Sequence, residues 1–226
     1  MAPLGVAALI AAAGLGERLG QGPKAFLDVG GRTLLAWVLD ALTPEVDEVL
    51  VGVPREHVER VRTLHPHARV IVGGATRQAT VAALARATAQ PVVLVHDAAR
   101  PFLDAATVHA CVALAREHGA ASTVTRVADT LLDVDSGAAV DRERLRAVQT
   151  PQAFLRSWLL EAHEMAEARG ESATDDAGLV RALGRSVQLV HGGSHLFKVT
   201  TPADLVLARA YAAAMGGPRP VAAGAG

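Results

Sequence analysis

Ala11–Phe26, AAAGLGERLGQGPKAF, takes the chain out of an apolar run into a loop that holds four glycines together with Arg18 and Lys24. Glycines reach φ > 0 and let backbone N–H groups crowd around an anion, and two cations beside them could neutralise a triphosphate. Two familiar glycine motifs fail here. A Walker loop needs Gly-Lys-Ser/Thr opening a helix, and none is present. The dinucleotide pattern puts Leu19 where its third glycine belongs, and Pro23 would break the helix required at that point. The plain alternative, a flexible loop after a strand, gives no reason for an Arg and a Lys among the glycines.

Working outward, the run before the loop reads as a buried first strand, Val6–Ala12. Further strands are expected at Glu48–Val53, Arg69–Val72, Val92–His96 and Ala120–Thr125. Helical patterns lie between them at Thr33–Leu42, Arg55–Leu64, Arg77–Ala89 and Asp104–Glu117. That alternation implies a mostly parallel, helix-flanked sheet, with ligands bound beyond the carboxyl ends of its strands. The pattern then breaks. Val127–Asp133 and Ala138–Val140 read as two strands joined at Asp135-Ser136-Gly137, followed by the charged run Asp141–Arg146. Such a hairpin has little core of its own, and is either a surface excursion or an arm gripping a partner subunit. Helices resume at Leu155–Ala168, Asp175–Leu183 and Pro202–Ala213, with strands at Val187–Val190 and Phe197–Val199. The expected organisation is one domain over residues 1–215, with an arm at about 127–146 inserted and a frayed Gly/Pro/Ala tail at 216–226.

Composition narrows the function classes. Half the residues are hydrophobic but only 3% are aromatic, so the core must be built from Ala, Val and Leu. A formal charge of −1 argues against a nucleic-acid binder that relies on bulk electrostatics. The opening apolar run is too short to cross a membrane and lacks a basic leader, and one cysteine, Cys111, allows no internal disulfide. A cytoplasmic protein is the expectation.

A second chemical segment is Val92–Leu103, VVLVHDAARPFL, in which Asp97 and Arg100 follow a buried strand. Asp97 could face a metal or a ribose hydroxyl, since Mg²⁺ prefers oxygen ligands, or could cap a turn or pair with Arg100. His96 reads as a packed strand-end histidine and is given no role. A third segment, Gly73-Gly74-Ala75-Thr76-Arg77-Gln78-Ala79-Thr80, puts a glycine pair before a helix N-terminus, a ready anion or base-edge site. Downstream, Gln149-Thr150-Pro151-Gln152 leads to Arg156, Thr174-Asp175-Asp176 opens a helix with Thr174 as candidate N-cap, and Lys198 precedes Thr201-Pro202. The His65/His67 and His191/His195 pairs lack a partner set for zinc. No Ser/His/Asp order or Cys/His pair accompanies the glycine loop. A phosphate nucleophile, already an anion at neutral pH, would need no base, only positioning and charge stabilisation.

In combination, the loop ending in Pro23-Lys24, the stretch His96–Pro101, Thr150-Pro151-Gln152 and Thr174-Asp175-Asp176 resemble the 2-C-methyl-D-erythritol 4-phosphate cytidylyltransferases, from about Val6 to Leu205 and in the family's order. The resemblance implies a Rossmann-like nucleotidyltransferase fold whose β-arm interlocks two subunits into a homodimer. It implies an enzyme that uses CTP, methylerythritol phosphate and Mg²⁺ to make CDP-methylerythritol and pyrophosphate for non-mevalonate isoprenoid synthesis. It assigns catalysis to Arg18 and Lys24, and nucleotide binding to Ala12, Ala13, Gly14, Gly16, Gly73, Gly74, Thr80 and Asp97. It assigns the acceptor to Arg100, Thr130, Arg156, Thr174 and Lys198. Asp97 is the one candidate metal ligand; otherwise Mg²⁺ rides on the CTP phosphates. Thr80 stands where the family usually has Ser, and Leu196 where it usually has Asn. A ribitol-5-phosphate cytidylyltransferase is the nearest alternative, a glycosyltransferase a further one. The latter's Asp-x-Asp triplet occurs here only as Asp133-Val134-Asp135, in the hairpin.

Overall fold

The computed structural model describes residues 4–14 and 22–216. Its centre is a seven-stranded sheet in the order β3-β2-β1-β4-β8-β5-β9. β1 (Val6–Ala11) pairs in parallel with β2 (Glu48–Val53) on one side and β4 (Val92–Asp97) on the other, and β3 (Arg69–Val72) pairs in parallel with β2. β5 (Ala120–Thr125) runs parallel to β9 (Gln188–His191) at the far edge. Between β4 and β5 lies β8 (Ala147–Leu155), antiparallel to both. The first-half strands match the sequence expectation almost residue for residue, because a strand buried on both faces is a short apolar run and little else.

Alternate side chains of β1 serve opposite faces. Val6, Ala8 and Ile10 join a cluster with α1 (Leu34–Leu42), α2 (Val58–Leu64) and α4 (Ala105–His118). Ala7 and Leu9 join a second with α3 (Arg77–Ala87), α5 (Arg156–Arg169) and α6 (Asp176–Ala182). Leucines dominate the largest fully buried side chains, as a core short of aromatics requires, and each contributes about 1.5–3 kcal/mol relative to exposure. Four of the seven aromatics, Trp37, Phe102, Phe197 and Tyr211, pack together in a third cluster with α7 (Pro202–Ala214).

Two expectations are corrected and one unassigned segment is placed. Phe197–Val199 is not a strand: Phe197 packs into the aromatic cluster, and the segment makes a single backbone link, Val199 N–H to the Ala99 carbonyl at 2.9 Å. Gln149–Gln152, given no element from the sequence, is the heart of β8. Pro151 falls where the β5–β8 register shifts between Ser122 and Val124, and just beyond the last β4–β8 pair, Val95 with Gln152. The N-cap of α6 is Asp175 rather than Thr174; its carboxylate accepts the Gly178 N–H, while Thr174 is exposed. The excursion between β5 and β8 carries a two-stranded hairpin of its own, β6 (Leu131–Leu132) with β7 (Ala139–Val140). Its side chains are almost all exposed, Val134 at 94%.

Candidate active site

β1 sends the chain one way to β2 and β3, and the next crossover returns to β4 on β1's other side. Strand order therefore reverses between β1 and β4, where open α/β sheets leave a crevice at their carboxyl ends. A cavity of about 430 Å³ opens there, lined by Ala11–Gly14 after β1 and Asp97–Ala99 after β4. Lys24, Gly74–Arg77, Thr80 and Lys198 complete the wall.

Each wall is held by its own local chemistry. Ala12 N–H donates to the Gly52 carbonyl, which fixes where β1 ends. Pro23 precedes a 3-10 turn, Lys24–Phe26, and the Lys24 ammonium lies 3.4 Å from the Val199 carbonyl. Opposite, the Thr80 hydroxyl, buried on α3, accepts from Gly74 N–H at 3.0 Å and donates to the Thr76 carbonyl at 2.9 Å. A Cβ on Gly73 would come within 2.4 Å of the Ala13 Cβ, and one on Gly74 within 2.6 Å of the Ala79 Cβ. The glycine pair is thus required for the loop to lie against both β1's exit and the helix.

The floor is electrostatic. Arg77 Nε donates to Asp97 Oδ1 at 2.8 Å, and the Lys198 ammonium donates to Asp97 Oδ2 at the same distance. Burial alone would raise the Asp97 carboxyl, but Arg77 and Lys198 outweigh it and hold it well below the usual carboxylate range. Arg100 reaches Asp97 only at 3.9 Å and donates instead to the Leu196 carbonyl at 2.7 Å, which fixes the turn just before Lys198. Leu196 itself is fully buried in the core, so the site takes from this position a carbonyl and not a side chain.

Two residues unassigned from sequence set Asp97's backbone. Burial pushes His96 down to about 4, and its Nε2 faces the Arg100 carbonyl at 3.0 Å. A carbonyl only accepts, so Nε2 carries the hydrogen and Nδ1 is the acceptor. The Thr150 hydroxyl, 3.1 Å from Nδ1, therefore donates to it while accepting the Asp97 N–H. β8 in this way pins the loop after β4.

Of the residues expected at the site, Ala12, Ala13, Gly14, Lys24, Gly74, Thr80, Asp97 and Lys198 line one cavity. Gly73 supports it from behind, its N–H donating to the Val53 carbonyl. Gly16 and Arg18 lie outside the described residues, as does the tail beyond Gly216. Arg100 acts beneath the site, not on its wall. Thr130 is exposed on the hairpin, and Thr174 is exposed before α6. Arg156 is not brought there: its Nε donates to the Ala85 carbonyl and its N–H to the Pro91 carbonyl, at the amino end of β4, about 17 Å along the strand from Asp97. Arg77 and Asp176, missed in the sequence, meet at 2.7 Å. The one signal was that both open helices beside candidate motifs.

A reversed parallel sheet, a tightly packed glycine pair and two lysines facing one crevice are the frame of a nucleotidyltransferase. The model of the family "2-C-methyl-D-erythritol 4-phosphate cytidylyltransferase" matches residues 6–214, and the chain belongs to that family. An enzyme of that name from Deinococcus radiodurans is 52% identical over 207 residues, covering 90% of this chain and 88% of the relative. One from Thermus thermophilus is 50% identical over 210 residues, with 92% and 97% covered. The crystal structure of a Thermus thermophilus enzyme of that name superposes with a TM-score of 0.80 at 46% identity, covering 93% of this chain and 98% of that one.

Proposed function

We propose that the chain transfers the cytidylyl group of CTP to 2-C-methyl-D-erythritol 4-phosphate, giving CDP-methylerythritol and pyrophosphate in isoprenoid precursor synthesis. The observation that carries this reading is the convergence of Lys24 and Lys198, far apart in sequence, on one cavity whose floor is Asp97 and Arg77. The acceptor phosphate attacks the α-phosphorus in line. A new oxygen–phosphorus bond forms, the bond to the bridging α,β-oxygen breaks, and its electron pair leaves with pyrophosphate. The nucleophile is already an anion, so no side chain has to remove a proton. Lys24, helped by Arg18, stabilises the charge that builds on the α-phosphoryl oxygens and the leaving group. Ala12–Gly14 and Gly16 border the triphosphate, and Gly73, Gly74 and Thr80 present the edge that meets cytosine. Lys198 takes the acceptor, with Thr130 and Thr174 belonging to the same task across subunits.

Magnesium fits this site in a restricted way. Among the described residues no group of three or more His, Cys, Asp or Glu side chains could hold an ion. Among the described residues Asp97 alone offers a carboxylate at the cavity, and Mg²⁺ is commonly bound by one carboxylate plus substrate phosphates. Asp97 would be its protein ligand, and the ion would neutralise triphosphate charge. The exposed arm reads as the homodimer contact, because a hairpin with almost no buried side chain gains core only from a partner. No helix among the described residues is long and apolar enough to cross a membrane. A reducing cytoplasm suits the buried thiol of Cys111, the sole cysteine.

The test offers methylerythritol phosphate and ribitol 5-phosphate separately with CTP and Mg²⁺, and follows pyrophosphate release. Turnover with methylerythritol phosphate is expected; turnover with ribitol phosphate alone, or with neither, refutes the reading.

A further inference from the structure

Behind the cavity floor runs a line of buried polar groups that the reaction as described does not use. Arg77 is forked: while Nε holds Asp97, Nη1 donates to Asp176 Oδ2 at 2.7 Å. The other oxygen of Asp176 faces His163 Nε2 at 3.0 Å. Asp176 and His163 are 1% and 2% exposed, so neither can touch a substrate from its place on α6 or α5. The series His163, Asp176, Arg77, Asp97, Lys198 thus crosses from α5 through α6, α3 and β4 to the segment before α7, and ends in the cavity wall.

Stability alone does not account for this arrangement. A buried carboxylate costs several kcal/mol to desolvate, and well-packed apolar side chains in its place are often as stable or more so. His163 Nδ1 is buried with no hydrogen-bond partner among the described residues, a further cost carried for the sake of the one bond that Nε2 makes. Burial would raise the Asp176 carboxyl, but the hydrogen bond from His163 and the charge of Arg77 outweigh it, so it stays an anion. What a fixed anion there supplies is orientation. A guanidinium held at two points has its plane fixed, whereas one held by Asp97 alone could swing about that contact. Asp97 has two cations to satisfy, and where Arg77 sits decides how firmly Asp97 draws the Lys198 ammonium away from an incoming phosphate.

We propose that Asp176, seated by His163, is a positioning residue that sets Arg77 and through it the Asp97–Lys198 pair for the transfer reaction. The proposal rests on the cytidylyl-transfer reading above. Loss of the seat acts as a small misplacement of charged groups at the reacting centre, and a shift of about 1 Å can cost up to about a hundredfold.

The experiment uses the full chain with CTP, methylerythritol phosphate and Mg²⁺, with thermal unfolding to count folded protein. Asp176→Asn keeps shape and the bond to His163 but removes the charge. It should lower kcat about tenfold or more per folded molecule and raise the calorimetric Kd for CTP about threefold. Combined with Arg77→Lys, which replaces the planar fork with a single ammonium, it should add little further loss, because both variants disrupt the same Arg77–Asp176 contact. His163→Gln, whose amide can donate to the same oxygen, should lose markedly less than His163→Phe. An Asp176→Asn enzyme with ordinary kcat and CTP affinity overturns the proposal, as does a double variant whose loss is the product of the single losses. If Asp176→Asn does not fold, equal kcat for the two His163 variants overturns it. A wild-type chain that turns over neither acceptor sinks the cytidylyl-transfer reading instead, and the CTP affinities of the same variants then decide the positioning role.

Discussion

Lys24→Ala separates a catalytic cation from a structural one. The Lys24 ammonium lies 3.4 Å from the Val199 carbonyl, at the long end of hydrogen bonding, so this contact contributes about 1 kcal/mol to folding at most. For a domain of this size that loss moves Tm by about 2–4 °C. The catalytic effect should be far larger. Lys24 stands on a turn stiffened by Pro23 and faces the cavity from the side opposite Thr80, so its ammonium is fixed before substrate arrives. Removing one preorganised donor of this kind costs about 10²–10³ in kcat, or roughly 2.7–4 kcal/mol. Initial rates of pyrophosphate release at saturating CTP and acceptor, beside a melting curve, measure both terms. The expected result is a loss of kcat of about a hundredfold or more, a smaller change in KM for CTP, and a Tm lowered by a few degrees. Lys24→Arg should restore only part, since a planar guanidinium cannot occupy an ammonium's position. If Lys24→Ala keeps its kcat and merely weakens CTP binding, the residue binds the ground state and the assignment is wrong.

Thr80→Val removes the hydroxyl that accepts from Gly74 N–H, leaving that group without its partner at about 1–3 kcal/mol, while the Thr76 carbonyl keeps the Thr80 backbone N–H at 3.0 Å. CTP affinity and Tm should fall together, while Thr80→Ser keeps both; a Val variant with normal CTP binding would detach the loop from base recognition. Lys198→Ala should raise KM for the acceptor more than KM for CTP. Arg156→Ala, at the other end of β4, should lower Tm slightly and leave acceptor KM alone; steady-state titration of each substrate separates the two. Shortening Ala128–Val140 should give a monomer with little activity by light scattering and rate assay, and a fully active monomer at micromolar concentration would contradict the arm's role.

The left half of the sheet was legible because β1, β2 and β4 are short apolar runs buried on both faces, and α1, α3 and α4 open on side-chain caps, Thr33, Thr76 and Asp104. The right half was not, and the reasons are local. Pro151 hid β8, since nothing in sequence reveals that a register shift on β5 will free the position from donating. Phe197–Val199 has strand composition, yet its one aromatic follows Phe102 and Tyr211 rather than a neighbouring strand. At the site, the segments that bracket the nucleotide could be read because glycines, and cations set among them, are conspicuous in an apolar chain. Arg77, Asp176 and His163 look like ordinary helix residues, and only the crossing of α3, α5 and α6 brings them together. Arg156 shows what sequence leaves out: within one chain the direction of β8 carries this cation to the opposite end of the sheet from the cavity.

That direction has a consequence for the order in which the chain can fold. β4 lies between β1, which precedes it, and β8, which begins fifty residues after β4 ends. While the chain is being made, β3, β2, β1 and β4 can assemble as a four-stranded unit, but the outer edge of β4 stays unpaired until Ala147–Leu155 has emerged. Val92–Asp97 is an apolar edge fully buried in the finished protein, and an edge of that kind is where nascent chains pair with one another. The last long strand to arrive at the middle of the sheet is therefore the one that closes it, and any chain ending before Leu155 should be recovered chiefly as aggregate.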